Sequence, residues 1–450
     1  MRYFLLKKAA VISALVVVLT LAINMTSGII QERNYYQNTA KNDIARAWTG
    51  KQQLVGPILV LPYRQQVLTE VWDEQQKQKR SKLEYRHCAL FAIPEDLHIS
   101  GQIDTELRYR GLYGVPVYTS RLKIHGKFDA QTLLEIKGQA RHVANWENAY
   151  IAVIVQDIRG IPAAPELSWA GQAVDFKPGS AIGGAPQGMH AIIPYAGSNP
   201  DDLSFSFELS LRGMETLNFA PVGVNTRVEL TSPWQHPSFN GDYLPERHAI
   251  DEQGFSANWR VSSFSSNIEL AMDKCQNGNC QALLANQFGV SLIQPIDIYH
   301  LSERSTKYGI LFISLTFIAF FVFEVIKRHP IHPIQYLLVG FALALFYLLL
   351  ISLSEHIAFA WAYPLAACAC TALLGYYLSA VLRGLKAGLL FSAALAILYA
   401  VLYVIIGSED SALLMGSVLL FLMLALLMTV TRRIDWYKLS HERDAGSHPI

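Results

Sequence analysis

Residues 306–356 read TKYGILFISLTFIAFFVFEVIK, then RHPIHPIQ, then YLLVGFALALFYLLLISLSEH. Two apolar runs flank a short basic turn carrying Pro330 and Pro333. Each run approaches the roughly 20 residues that a helix needs to cross a hydrocarbon core of about 30 Å. This pattern predicts a membrane hairpin, and the rest of the chain divides around it. Downstream, apolar runs recur near 357–382, 389–406 and 411–430. Upstream, Arg2, Lys7 and Lys8 precede an apolar run over 9–30. That run reads as an uncleaved anchor rather than a signal peptide, because apolar residues continue through Ile29 and Ile30 and no A-x-A site follows.

Charge tests the order of the six runs. With Lys7 and Lys8 inside, the even crossings return at Lys327 and Arg328, at Arg383 and Lys386, and at Arg432 and Arg433. The opposite turns, at Ser354, Glu355 and His356 and at 407–410, hold no Lys or Arg, as the positive-inside rule requires. Both termini are therefore expected in the cytoplasm, and 31–303 outside it.

Composition agrees with a chain of two parts. At 450 residues, 52% hydrophobic and 16% charged, with a mean hydropathy of +0.23, it is too apolar for an ordinary soluble protein and too charged for a purely embedded one. A formal charge of +1, with no run of Lys and Arg, argues against nucleic acid as a partner. The lipid bilayer is the partner that the apolar runs imply.

Within 31–303 the period changes. A short helix is expected over 31–47, followed by strand-like runs at 54–62, 89–94, 152–155 and 228–232, bounded by turn residues. Residues 203–211, LSFSFELSL, alternate strictly and place Leu203, Phe205, Phe207, Leu209 and Leu211 on one face of a strand. The expected fold is an α+β membrane protein: an N-terminal transmembrane anchor (1–30), a large antiparallel β-sandwich-like periplasmic domain (31–303), a bundle of five transmembrane helices (304–431) and a cytoplasmic tail (432–450).

The groups that carry chemistry are few. Glu324 reads as an interfacial carboxylate near a helix end. Glu355, His356 and Asp410 form an acidic rim with a titratable imidazole if their turns are neighbours, and solvated loops otherwise. Trp234, His236 and Phe239, packed between Pro233 and Pro237, line a ligand cleft or plug a corner of the core. The glycine-rich loop at 177–188 lacks the G-K-[ST] ending of a phosphate-binding loop and reads as surface. Of five cysteines, Cys275 and Cys280 bracket the turn dipeptide Asn277-Gly278. Flanking strands would bring them together as a disulfide, or leave two free thiols beside a hairpin. His329 and His332 are not read as a metal site, because Pro330 and Pro333 interrupt any helix that would align them. No H-E-x-x-H, C-x-x-C, G-x-S-x-G or Walker A pattern occurs, so neither a catalytic residue nor a cofactor or metal is expected, and the chain reads as a non-enzyme.

A longer pattern resembles a known family. Its elements are Gly56-Pro57 with Pro62, RGLY at 110–113 with Val117-Tyr118, DIRG at 157–160, PVG at 221–223, and WQHPSF at 234–239 with Gly241 and Leu244-Pro245. It continues through Gly254-Phe255, Trp259, Lys307-Tyr308, Phe323-Glu324, HPIQYLLVG at 332–340, FYLLL at 346–350 and SEH at 354–356. Together these resemble the CreD family of bacterial inner-membrane proteins associated with cell envelope integrity. The resemblance implies a Gram-negative inner membrane, a stress-responsive regulon and no defined reaction. The short connection at 299–307 leaves little slack, and a periplasmic domain that binds an envelope component and is coupled to the bundle through it is expected. A transporter or lipid-handling protein is the first alternative. A periplasmic enzyme on cell-wall or glycan material is the second.

Overall fold

The computed structural model describes residues 2–73, 78–140, 143–193, 203–294, 298–327, 331–382, 384–408 and 411–432. The chain separates into a helical unit, Met1–Asn38 with Ile296–Ile450, and a sheet unit, Thr39–Pro295. Helix α1 (Arg2–Ala47) begins in the first and ends in the second without interruption, so residues 31–47 continue the apolar helix instead of forming a separate one.

Two sheets build the sheet unit. The first runs in the order Pro237–Gly241, Phe288–Leu292, Thr216–Phe219, Gln52–Asp73, Tyr150–Val155, Gly188–Ile192, Lys177–Pro178, with Gln78–Ala92 and Val143–Trp146 also paired to Gln52–Asp73. The second runs Arg247–Asp251, Gly254–Ser262, Asn225–Ser232, Asp96–Arg110, Tyr113–Lys127, Ser204–Met214, Glu166–Trp169, Gln172–Asp175. Among the described residues pairing is antiparallel except at two places, where Gln52–Asp73 lies parallel to Thr216–Phe219 and Asn225–Ser232 parallel to Asp96–Arg110. Three of the four strand-like runs read from the sequence fall in these strands, and the fourth, 89–94, leaves its strand after Ala92.

One hydrophobic core takes side chains from both sheets, among them Val60, Ile154 and Phe288 from the first and Ile99, Leu209 and Trp259 from the second. The alternation in Ser204–Met214 buries Phe205, Phe207, Leu209 and Leu211 as the sequence requires. Tyr150–Val155 is instead buried at every position from Ile151 to Val155, as expected of a strand covered on both faces.

Helix α2 (Ala130–Gln139) starts at Asp129, whose carboxylate accepts from the amides of Gln131 and Thr132. The region around Cys275 and Cys280 differs from the expected hairpin. Short helix α3 (Ser263–Ser266) is followed by α4 (Ile268–Gln276) and α5 (Gln281–Ala285), so helices, not strands, flank the turn. Ile268, Ala271, Met272 and Cys275 are buried at a spacing of three and four, which is the helical period. The structure joins Cys275 and Cys280 in a disulfide.

The glycine-rich loop at 177–188 is no plain surface loop. Ser180, Ile182 and Ala185 are buried, and the Ser180 hydroxyl bonds the Ala185 carbonyl. The Gly183 carbonyl lies 3.4 Å from Cys280 Sγ. Gly184 has a φ of +85°, and a Cβ there would press on the Gly278 carbonyl. Glycine is used here for close approach of two loops.

In the helical unit, α1 is followed by α6 (Ile298–Lys307), α7 (Gly309–Lys327), α8 (Pro333–Ser354), α9 (Phe359–Val381), α10 (Leu385–Gly407) and α11 (Ala412–Thr431). Among the described residues, five helical segments are long and apolar enough to cross a membrane. They become six if α6 and α7, bent by 40° at their junction, count as one span. Helix α6 buries Tyr299, Ser302, Ser305 and Thr306. That polar face hides it from a hydropathy reading, which starts the run at Thr306. Helix α8 begins with a reciprocal cap: His332 Nδ1 accepts from the Ile334 amide, Gln335 Oε1 accepts from the His332 amide, and Pro333 occupies the first turn. The HPIQ of the family pattern is thus a helix start. His329 lies outside the described residues.

Candidate functional site

The DIRG segment is a junction in the sheet unit. Gln52, at the head of its strand, donates from Nε2 to the carbonyls of Asp157 (3.0 Å) and Arg212 (2.8 Å), and accepts at Oε1 from the Asp157 amide (3.2 Å). Asp157 accepts from the Gly50 amide (3.0 Å) and from Arg159 Nη2 (2.6 Å). The hydrogen bond from Arg159 and those from the backbone amides hold the Asp157 carboxyl below its ordinary range, against partial burial. Arg159 in turn donates to the carbonyls of Arg46 (2.8 Å) and Ala45 (3.2 Å). A guanidinium therefore closes the last turn of α1, where orphan carbonyls and the negative helix end favour a cation. A Cβ on Gly160 would collide with Gln52 Nε2 and the Arg212 carbonyl.

Beside this junction the end of α1 lines a cavity of about 420 Å³ with Asp43, Arg46, Trp48, Arg108, Tyr109 and Arg110. The Trp48 ring has the Arg108 guanidinium 3.5 Å and that of Arg212 4.8 Å from its centroid, a cation–π arrangement that holds the arginines in place. Arg108 also bonds Glu106 (2.9 Å), and Arg110 lies 3.8 Å from Asp43. The lining thus carries three guanidinium groups and one carboxylate, with Glu106 paired to Arg108 beside it, an excess of positive charge. Planar, forked donors next to aromatic surface suit a phosphate or carboxylate carried on a larger body. Sequence reading missed this place because its parts are scattered, and RGLY at 110–113 was the only trace.

The residues singled out from sequence lie elsewhere. Trp234 Nε1 donates to the carbonyls of His236 and Ile293, both at 3.1 Å, which ties the turn to the strand end. Phe239 packs among His248, Phe255 and Trp259, and His236 is exposed. The shallow cavity next to them, about 290 Å³, is lined by Pro233, Gly254, Phe255 and neighbours and by none of the three.

In the helical unit, Glu355 ends α8 with its side chain only 9% exposed, so it is not a solvated loop residue. Its Oε1 lies 3.3 Å from Arg33 Nε and accepts from the Tyr299 hydroxyl at 3.3 Å. The next residue, His356, is exposed. Asp410 lies outside the described residues. Glu324 accepts from the Tyr336 hydroxyl at 3.1 Å. The hydroxyls of Ser302, Ser305 and Tyr347 are buried with no hydrogen-bond partner among the described residues, and that of Tyr399 is buried beside Cys370. Counting charges overlooks this polarity, since tyrosine and serine score as neutral. Among the described residues no three His, Cys, Asp or Glu side chains converge as a metal site.

A family model described as "Inner membrane protein CreD" matches residues 4–437. The chain is also similar to the Inner membrane protein CreD of Escherichia coli (strain K12), with 36% identity over 437 residues, 97% of this chain and 94% of that protein.

Proposed function

Because the chain belongs to the CreD family of inner membrane proteins, we propose that it supports the cell envelope by binding an anionic envelope component on its sheet unit, with that unit in the periplasm. The cavity of Arg46, Trp48, Arg108 and Arg110 carries the reading, since guanidinium groups placed on aromatic rings recognise phosphate or carboxylate while aromatic edges cover the attached body. The basic returns at Lys327, Arg383 and Arg432 support a periplasmic location. The proposed activity is binding, with no reaction assigned. The test uses the full chain in detergent with phosphatidylglycerol, lipopolysaccharide and peptidoglycan fragments as probes. One of them should bind, and R108A/R110A should weaken it at least about tenfold, as expected when charge-assisted bonds worth about 1.5–3 kcal/mol are lost. Equal binding by the variant would reject the cavity.

A second reading, a transporter or lipid-handling protein, is favoured by the buried hydroxyls of Tyr347 and Tyr399 and by the Glu355 pair inside the helical unit. Polar groups held among membrane helices mark substrate paths when they are not structural. If E355Q fails to rescue an envelope phenotype of a deletion strain while R108A/R110A rescues it, the second reading replaces the first.

A further inference from the structure

His98 and His125 stand directly opposite each other on Asp96–Arg110 and Tyr113–Lys127. Their chain neighbours Leu97, Ile99 and Ile124 are buried, so the two imidazoles occupy the face turned from the core. The ring centroids are 4.7 Å apart, and His98 Nδ1 lies 3.2 Å from His125 Nε2. Two nitrogens held by one tetrahedral ion at about 2.0–2.1 Å are about 3.3 Å apart. The observed spacing matches that of a shared ligand pair.

Glu229 Oε1 lies 3.7 Å from the other nitrogen of His98, Nε2. At that distance, beyond hydrogen-bond reach, the carboxylate acts on the ring through its charge alone, which favours a proton on Nε2 and leaves the Nδ1 lone pair toward His125. By register, Arg227 lies across from His98 and Ser206 across from His125. The Arg227 cation opposes metal binding and Glu229 offsets it. Two protein ligands would leave the remaining positions of an ion to water, which makes for exchangeable binding.

We propose that His98 and His125 bind a borderline divalent transition ion of the Zn2+ type across the two strands, oriented by Glu229. Zn2+ itself is the probe, titrated calorimetrically into the metal-stripped full chain in detergent at neutral pH. One equivalent should bind to the wild type and be missing from H98A, from H125A and from the double variant. Any binding by other histidines persists in all of them and is subtracted. E229Q should keep the stoichiometry and weaken the affinity 10- to 100-fold, the usual cost of removing a group that orients a ligand. Melting curves without metal check that each variant is folded, which positions on the outward face favour. A wild type that binds no more Zn2+ than a folded double variant would overturn the proposal and leave the pair as a ring-to-ring hydrogen bond. Unchanged affinity in E229Q would remove Glu229 from it.

Discussion

Replacing Gln52 with alanine should loosen the sheet unit at one defined point. The side chain is 1% exposed and makes three hydrogen bonds, all to backbone, with partners more than 100 positions away in sequence. Each such bond contributes about 1 kcal/mol net, and a buried group left unpaired costs about 1–3 kcal/mol. Three bonds place Gln52→Ala at about 3 kcal/mol. At about 1.4 kcal/mol per factor of ten, the junction of residues 52, 157 and 212 should open about 100 times more often. Gln52→Glu keeps the shape but aims a carboxylate oxygen at the Asp157 and Arg212 carbonyls, so at neutral pH it should be worse than alanine. Amide hydrogen exchange on the full chain is the appropriate assay, because it reads opening peptide by peptide in a two-unit protein that need not unfold in one step. If the amides around 52–55 and 157–160 exchange within about threefold of wild type in Q52A, or if Q52E is the milder change, the assigned role of Gln52 is wrong.

Two further outcomes follow from the same unit. Asp157 has a folded pKa lowered by Arg159 and backbone amides. Its contribution is therefore full above the unfolded value of about 3.8 and lost as pH falls through the lower folded value. The gap in melting temperature between the wild type and Asp157→Asn should hold above that unfolded value and shrink as pH falls below it, and parallel curves would contradict this. Replacing Cys275 and Cys280 together with serine removes a short closed loop worth about 2 kcal/mol by the chain-entropy model. Helices α4 and α5 and the loop at 177–188 should then lose exchange protection together, and protection equal to wild type would show that the disulfide contributes nothing there.

Local pattern was legible in this sequence, and long-range pairing was not. The alternation of Phe205, Phe207, Leu209 and Leu211 reports a strand because neighbours in sequence share its face. The apolar runs report helices for a similar reason. Around Cys275 two local signals conflicted. The Asn277-Gly278 dipeptide suggested a hairpin, while Ile268, Ala271, Met272 and Cys275 already carried the helical period. Helix α6 escaped because it buries serines and a tyrosine, which hydropathy does not count. The functional positions were hardest to see. Trp48 and Arg108 meet across 60 residues of chain, and Gln52 meets Asp157 across 105. No window along the sequence contains both partners. The family pattern marked DIRG and HPIQ without saying that one is a junction and the other a helix cap.

The strand Phe288–Leu292 lies between Thr216–Phe219 and Pro237–Gly241. Both neighbours are made before it, and each must wait with an unpaired edge. At about 5–20 residues per second, the roughly 70 residues separating Phe219 from Leu292 take on the order of 4–15 s to synthesise. Throughout that interval the nascent chain presents open edges, which template pairing with other chains. The birth of the sheet unit is therefore timed by the arrival of one five-residue strand, and a ribosome that stalls before residue 288 leaves behind a chain primed to aggregate.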